Sequence, residues 1–218
     1  MFSIDFSFLI KCYVIGILGA TGLGPIFVLT FNRGASKGFW AGFVTAFGAA
    51  LADSMFFLLG LAGALTFIGG SLRLITLLDF FGGLLLLFLG YSSIKKVKKI
   101  SFSDGEPKKN FFLLASKAFL ITTFNPLVLL FFMVISVQVL PDGIQALSIY
   151  QYLISSFMVL LGSISVLTCV ALAGFLLGSG ISKEKLKMLS IFSGIAFICA
   201  GIYLISQFFV NFVKIYRF

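Results

Sequence analysis

The chain has 218 residues, of which 60% are hydrophobic and only 11% are charged. A soluble domain needs more surface charge, so this composition excludes an ordinary globular protein and predicts several membrane spans. The net charge of +9 fits lysine-rich loops that set membrane topology, and no basic patch interleaved with aromatic residues indicates a nucleic-acid partner.

Six apolar runs are candidates for membrane helices, since a span needs about 20 residues. The first run is not typical of a cleaved signal peptide, because Lys11 interrupts it and no small-residue cleavage site follows. We predict that span one begins near Phe6, ends near Asn32 and is closed by a short loop containing Arg33 and Lys37. The other spans are predicted at about 39–67, 74–94 and 113–140, within 143–182, and at 191–212.

The uncharged run from Gly143 to Ser182 is long enough for two short spans. Its middle carries no cluster of turn residues, so one long helix with an interfacial approach is favoured. The expected organisation is a first three-helix membrane half at 1–94, a basic cytoplasmic linker at 95–112 and a second three-helix half at 113–218.

The two halves resemble each other in sequence. Span three carries Phe81-Gly82-Gly83 and then Gly90, while span six carries Phe192-Ser193-Gly194 and then Gly201, each with a tyrosine close behind. Because each half has three spans, the second must be inserted upside down relative to the first. The predicted fold is an all-α integral membrane protein of six transmembrane helices, arranged as two inverted three-helix repeats.

Lysine and arginine residues concentrate in the loops after spans one, three and five. The opposite side holds Arg73, Lys214 and Arg217, with Lys11 if its side chain reaches that surface. Positively charged loops stay in the cytoplasm. We therefore expect a multi-pass protein of the inner (plasma) membrane with both termini outside.

Spans one and four are each interrupted by one proline. Proline removes a backbone hydrogen bond, and carbonyls freed at bilayer depth need a partner or a water-lined cavity. We interpret both spans as broken helices that face a central polar site, with a kink satisfied by neighbouring helices as the alternative. The predicted breaks are Gly24, Pro25 and Pro126, and the predicted substrate- or ion-binding residues beside them are Thr21, Thr123 and Asn125.

Asp53 is the single acidic residue in an otherwise uncharged stretch from Gly38 to Leu72. An ionisable group at bilayer depth costs about 2.5–3.5 kcal/mol to insert, so its presence indicates a functional site. An ionised carboxylate would bind a cationic group such as an ammonium, whereas a protonated carboxyl would carry a proton through part of a transport cycle. A structural or helix-capping acid is the alternative.

The chain contains no histidine, which removes the commonest metal ligand and general base and argues against a hydrolase or metalloenzyme. Its three cysteines, Cys12, Cys169 and Cys199, lie in apolar runs without CxxC spacing and are interpreted as buried hydrophobic residues. We therefore expect no enzymatic activity, no cofactor and no metal site.

Together these motifs resemble the lysine exporter (LysE/RhtB) family of amino acid exporters over nearly the whole chain. Two positions depart from the family pattern. Leu23 replaces the first proline of the common Pro-Gly-Pro, and Leu127 replaces the lysine of the common Asn-Pro-Lys. The resemblance implies a six-span exporter driven by an ion gradient, but it does not imply lysine as the substrate. The matching parts are Gly24-Pro25, Arg33-Gly34, Lys37-Gly38, Gly48 to Asp53, Gly83 to Tyr91, Asn125-Pro126 and Phe131-Phe132.

The leading hypothesis is a secondary transporter that exports amino acids or related small polar metabolites, with proton coupling expected by analogy with the family. The alternatives are a metal-cation exporter of the same superfamily, a transmembrane thiol-disulfide redox protein and a structural subunit. The expected partners are a small-molecule substrate and membrane lipid. Six spans make a small transporter, so a homodimer is one expectation for its assembly.

Overall fold

The computed structural model describes residues 6–22, 25–63, 72–95, 110–139, 147–178 and 183–216. Within these ranges the chain is helical and contains no β-strand, so the all-α prediction is confirmed. A 3₁₀ turn, Ser136–Val139, continues the sixth helix. The α-helices are α1 Phe6–Thr21, α2 Pro25–Lys37, α3 Phe39–Gly63, α4 Leu72–Lys95, α5 Phe111–Thr123, α6 Pro126–Ile135, α7 Ile149–Leu177 and α8 Lys183–Tyr216.

Four helices, α3, α4, α7 and α8, are each long and apolar enough to cross a membrane. Two further pairs reach that length only together, and each pair is bent at a short break. The bend between α1 and α2 is 76°, and the bend between α5 and α6 is 68°. The described residues therefore provide four candidate membrane spans, or six when each bent pair is counted as one, which indicates a multi-pass membrane protein.

Both bends occur where a helix begins with proline. The second helix of each pair starts at Pro25 or Pro126, a position where the missing N–H group would have had no helical partner. The Asn125 carbonyl accepts the backbone N–H groups of Val128 and Leu129, at 3.2 and 3.3 Å. Gly24, the other predicted break residue, lies outside the described residues.

The long uncharged run forms one helix, α7, in its described part. Ser148 caps the start in a reciprocal capping box with Gln151, which satisfies backbone N–H groups that a helix start leaves open. Gly178 caps the end with a φ of +60°. The preference for one long helix over two short spans is thus correct between Ile149 and Leu177.

The prediction that Arg33 and Lys37 lie in a loop is wrong. Both belong to α2, and Gly38 alone separates α2 from α3. Gly38 has a φ of +93°, a conformation that glycine adopts without the steric penalty of a side chain. This one-residue turn needs no polar loop, so the two basic residues remain on the helix.

Close glycine contacts join α4 to α8. A Cβ on Gly83 would lie 3.0 Å from the Gly201 carbonyl oxygen, and a Cβ on Gly90 would lie 2.7 Å from the Gly194 carbonyl oxygen. Residue numbers rise on one helix as they fall on the other, so the helices are antiparallel. The motif repeated in spans three and six therefore forms one shared interface, as small residues do in membrane helix packing.

Candidate functional site

Asp53 lies near the middle of α3 and is 5% exposed. The Ser163 hydroxyl of α7 lies beside its carboxyl group as a hydrogen-bond partner. The same hydroxyl also donates to the Gly16 carbonyl of α1, at 3.1 Å. Because a hydroxyl has one hydrogen to donate, Ser163 can serve either the carbonyl or the carboxylate. Three helices, α1, α3 and α7, thus meet at Asp53.

Small residues allow these three helices to meet. A Cβ on Gly16 would overlap the Val159 carbonyl oxygen, and a Cβ on Gly162 would overlap the Tyr13 carbonyl oxygen. The next residue along α3 adds a polar contact, since the Ser156 hydroxyl donates to the Ser54 carbonyl at 2.8 Å. Backbone contact between α1 and α7 therefore positions Ser163 against Asp53.

Arg33 is a second buried charge, 2% exposed on α2. Its Nη1 atom donates to the Thr45 hydroxyl and to the Leu114 carbonyl, each at 2.9 Å. The Thr45 hydroxyl in turn donates to the Ala41 carbonyl at 2.8 Å. Arg33 therefore joins α2, α3 and α5 inside the bundle. The sequence analysis missed it because it placed Arg33 in a loop.

The predicted residues at the breaks have different surroundings. The Thr21 hydroxyl donates to the Leu18 carbonyl in the last turn of α1, at 2.8 Å. Thr123 Oγ1 is buried and has no hydrogen-bond partner among residues 6–22, 25–63, 72–95, 110–139, 147–178 and 183–216. The Asn125 backbone N–H donates to the Thr122 carbonyl at 3.1 Å. A substrate-binding role for Thr21, Thr123 or Asn125 stays a prediction.

Two further threonines, which the sequence analysis did not assign to the site, carry unsatisfied hydroxyls. Thr30 on α2 is 0% exposed and Thr122 on α5 is 2% exposed. Neither Oγ1 atom has a hydrogen-bond partner in the described part of the chain, and the same holds for Asn32 Oδ1. Buried polar atoms are normally paired, so each exception calls for an explanation. Sequence periodicity could not single them out, because one threonine in an apolar helix resembles another.

A second buried carboxyl group, that of Asp79 on α4, lies outside this cluster. Asp79 is 1% exposed, and Asn211 Nδ2 of α8 donates to its Oδ2 at 3.1 Å. Asp79 lies within the third predicted span, and the sequence analysis assigned it no role. Lys117 of α5 was also overlooked, since it lies inside the predicted fourth span and was not counted with the loop charges.

All three cysteines are free. Cys12 is buried, whereas Cys169 and Cys199 are exposed on α7 and α8, so the prediction that all three are buried is wrong for two of them. In the ranges that the structure describes, no three His, Cys, Asp or Glu side chains form a group that could hold a metal ion.

The chain matches the family model described as "LysE type translocator" over residues 17–207. It is also 26% identical, over 195 residues, to the "Putative amino acid efflux protein YcgF" of Bacillus subtilis (strain 168). That alignment covers 87% of this chain and 91% of the relative. No solved structure matches the chain.

Proposed function

The chain belongs to the LysE type translocator family, and from this premise we propose that it is a secondary transporter that exports amino acids, or related small polar metabolites, using the proton gradient. The observation that carries this proposal is the buried carboxyl group of Asp53 at the junction of α1, α3 and α7. The relative's printed name, an amino acid efflux protein, supports the substrate class.

Asp53 has the chemistry to bind an amino acid by its ammonium group. An ionised carboxylate inside a bundle is unfavourable unless a cation or hydrogen-bond donors compensate it. An ammonium supplies both, and a proton from the opposite side of the membrane supplies the same neutralisation. Substrate and proton would therefore compete for one carboxyl group, which is the simplest basis for exchange of one against the other.

The hydrogen-bond acceptor of the Ser163 hydroxyl would change with this exchange. When Asp53 is ionised, the hydroxyl hydrogen can donate to the carboxylate. When an ammonium or a proton neutralises Asp53, the hydroxyl can instead donate to the Gly16 carbonyl, 3.1 Å away. Gly16 belongs to α1, which ends at the bend of 76°. The state of Asp53 would thereby bias the position of the broken helix.

We further propose that the two halves are inverted repeats. Their bends are similar, at 76° and 68°. The repeated motif equates Gly83 with Gly194 and Gly90 with Gly201. Under this exchange the contact of Gly83 with Gly201 becomes the contact of Gly194 with Gly90, and both contacts are present. A two-fold axis through the α4–α8 interface accounts for that pattern, and such axes relate the halves of many transporters.

The proposed topology places the basic linker at 95–112 in the cytoplasm and both termini outside. Reporter fusions at each end and in the linker test it. Fluorescence from a reporter in the linker that is active only in the cytoplasm, together with activity from terminal reporters that work only outside, would support the orientation. The opposite pattern would reverse the proposed orientation. Cross-linking in native membranes tests whether the protein forms the homodimer expected of a small six-span transporter.

The first experiment measures efflux from cells loaded with a mixture of the twenty L-amino acids. Wild type, Asp53→Asn and Asp79→Asn are compared at equal membrane levels. Asp79→Asn is the matched control, because it makes the same chemical change in a buried acid that lies between α4 and α8. We expect selective efflux in wild type and in the control, and none in Asp53→Asn. Absence of efflux from well-expressed wild type would overturn the proposed function.

Proton coupling is tested separately in proteoliposomes with the amino acid that wild type exports. An imposed pH gradient should drive accumulation against a concentration gradient, and a protonophore should abolish it. Accumulation driven by a sodium gradient alone would assign the coupling to another ion and leave export itself standing.

A further inference from the structure

The hydroxyls of Thr30 and Thr122 lie buried in the bundle without partners in the described residues. Burying a hydroxyl without a hydrogen bond is costly, and valine would have the same shape without that cost. A state in which both hydroxyls are hydrogen-bonded would remove this cost. The simplest such state is one in which a ligand forms the missing hydrogen bonds.

Thr30 faces α3. Ile26, Thr30 and Arg33 follow a spacing that places side chains on one face of a helix. Ile26 packs against a cluster of Ala20, Ala46, Ala49 and Leu167, two of which belong to α3, and Arg33 donates to Thr45 of α3. Thr30 lies between these two contacts on the same face of α2.

Thr122 lies at the height of Asp53. Thr45 of α3 and Leu114 of α5 both accept hydrogen bonds from the Arg33 guanidinium. Further along both helices, a Cβ on Gly48 would overlap the Ala115 carbonyl oxygen. The two helices therefore advance in the same direction. Asp53 is eight residues beyond Thr45, and Thr122 is eight residues beyond Leu114. Each lies about 12 Å past the Arg33 contacts.

Thr122 lies on the buried face of α5. Its buried residues are Leu114, Ala118 and Thr122, which recur every fourth position and share one face. The Leu114 end of this face meets Arg33, and the Thr122 end carries the unsatisfied hydroxyl. The two threonines thus lie on helix faces that also meet Arg33, and Thr122 lies at the height of Asp53.

We propose that Thr30 and Thr122 bind the carboxylate of the exported amino acid while Asp53 binds its ammonium. This inference rests on the proposed function. Hydroxyl groups donate well to a carboxylate, and the nearby positive charge of Arg33 favours an anionic group on that side of Asp53. Arg33 keeps its hydrogen bonds to Thr45 and Leu114 and acts through its charge. Specificity for α-amino acids over amines then follows from the two threonines.

The test replaces each threonine by valine, singly and together, and measures efflux kinetics with the amino acid that wild type exports from the twenty-amino-acid mixture. Its carboxamide, which lacks the carboxylate, is measured in parallel. Thr30→Ser and Thr122→Ser keep the hydroxyls and serve as rescue variants. Thr76→Val is the matched control, since Thr76 is a buried threonine on α4.

We expect each valine variant to raise the KM for the amino acid about tenfold or more, the loss expected for a hydrogen bond to a charged group. The KM for the carboxamide should change little, so discrimination between the two probes should collapse in the double variant. The serine variants and Thr76→Val should resemble wild type. The thermal stability of the valine variants should be equal to that of wild type or higher, because no structural hydrogen bond is removed.

Three outcomes would overturn the inference. One is an unchanged KM for the amino acid in both valine variants. Another is an equal loss for the amino acid and its carboxamide. The third is failure of the valine variants to fold, which would show that the hydroxyls have structural partners. In each case wild-type efflux would still stand, whereas loss of efflux by wild type itself would instead refute the proposed function.

Discussion

Arg33 Nη1 and Thr45 Oγ1 lie 2.9 Å apart, with the guanidinium as the donor. The same nitrogen reaches the Leu114 carbonyl of α5 at 2.9 Å. A buried charge of this kind is stable only while its hydrogen bonds persist. Arg33 therefore fixes the positions of α2, α3 and α5 relative to one another, two helical turns from Asp53.

Arg33→Gln should strongly reduce the amount of folded protein in the membrane. The shorter amide cannot make both hydrogen bonds, and a hydrogen bond to a charged group is typically worth about 1.5–3 kcal/mol. Lys37→Gln is the control, because it removes a positive charge from the same helix at its last residue. Fluorescence-detected size-exclusion chromatography of membrane extracts measures both. Equal monodisperse peaks for the two variants would contradict the structural role of Arg33.

Gly16→Ala should separate α1 from α7, because the new methyl group would overlap the Val159 carbonyl oxygen. Backbone cannot yield as a flexible side chain can, so the expected cost is about 1–3 kcal/mol or more. Gly63→Ala is the control, since a Cβ there meets nothing within 4 Å. Thermal unfolding in detergent compares the variants. A Gly16→Ala protein as stable as Gly63→Ala would show that α1 and α7 are not in backbone contact.

Asp79 and Asn211 should be energetically coupled across α4 and α8. Their hydrogen bond of 3.1 Å predicts that Asp79→Ala and Asn211→Ala together cost less than the sum of the single changes, by about 0.5–1.5 kcal/mol. Unfolding free energies of wild type, both single variants and the double variant measure this difference. Strict additivity would mean that the pair contributes nothing to the packing of α4 on α8.

A variant with Cys12, Cys169 and Cys199 all replaced by serine or alanine should export amino acids at the wild-type rate. The three thiols are free, and amino acid export requires no thiol chemistry. Serine suits the two exposed positions, and alanine suits buried Cys12, where a hydroxyl would need a partner. Complete loss of activity at normal expression would favour the thiol-disulfide redox hypothesis.

The sequence predicted the coarse fold because hydrophobic length depends only on local composition. Runs without charge gave the approximate positions of α3, α4 and α7, and the lack of turn residues identified α7 as one helix. Arg33 was misplaced for the opposite reason. Its burial depends on Thr45 and on Leu114, which is 81 residues away, and no local pattern reports such a distant acceptor.

The site shows the same division between local and long-range information. Asp53 could be singled out because one acid in an apolar span is conspicuous by itself. Thr30 and Thr122 could not, since they stand out only because their hydroxyls have no hydrogen-bond partner among the described residues, and only the packing of α2 and α5 reveals this. Ser163 was missed likewise, because its position beside Asp53 depends on the glycine contacts between α1 and α7.

The antiparallel glycine interface of α4 and α8 restricts how relatives of this protein can diverge. A Cβ on Gly83 would lie 2.6 Å from Ile205 Cγ1, and one on Gly90 would lie 2.6 Å from Ile198 Cγ1. A larger residue at Gly83 therefore requires a smaller one at Ile205. At Gly90 the added Cβ would also lie 2.7 Å from the Gly194 carbonyl oxygen, which excludes a larger residue whatever stands at position 198. Across homologues, positions 83 and 205 should covary and position 90 should remain glycine, and chimaeras that mix the halves of distant relatives should fail when 83 and 205 are mismatched.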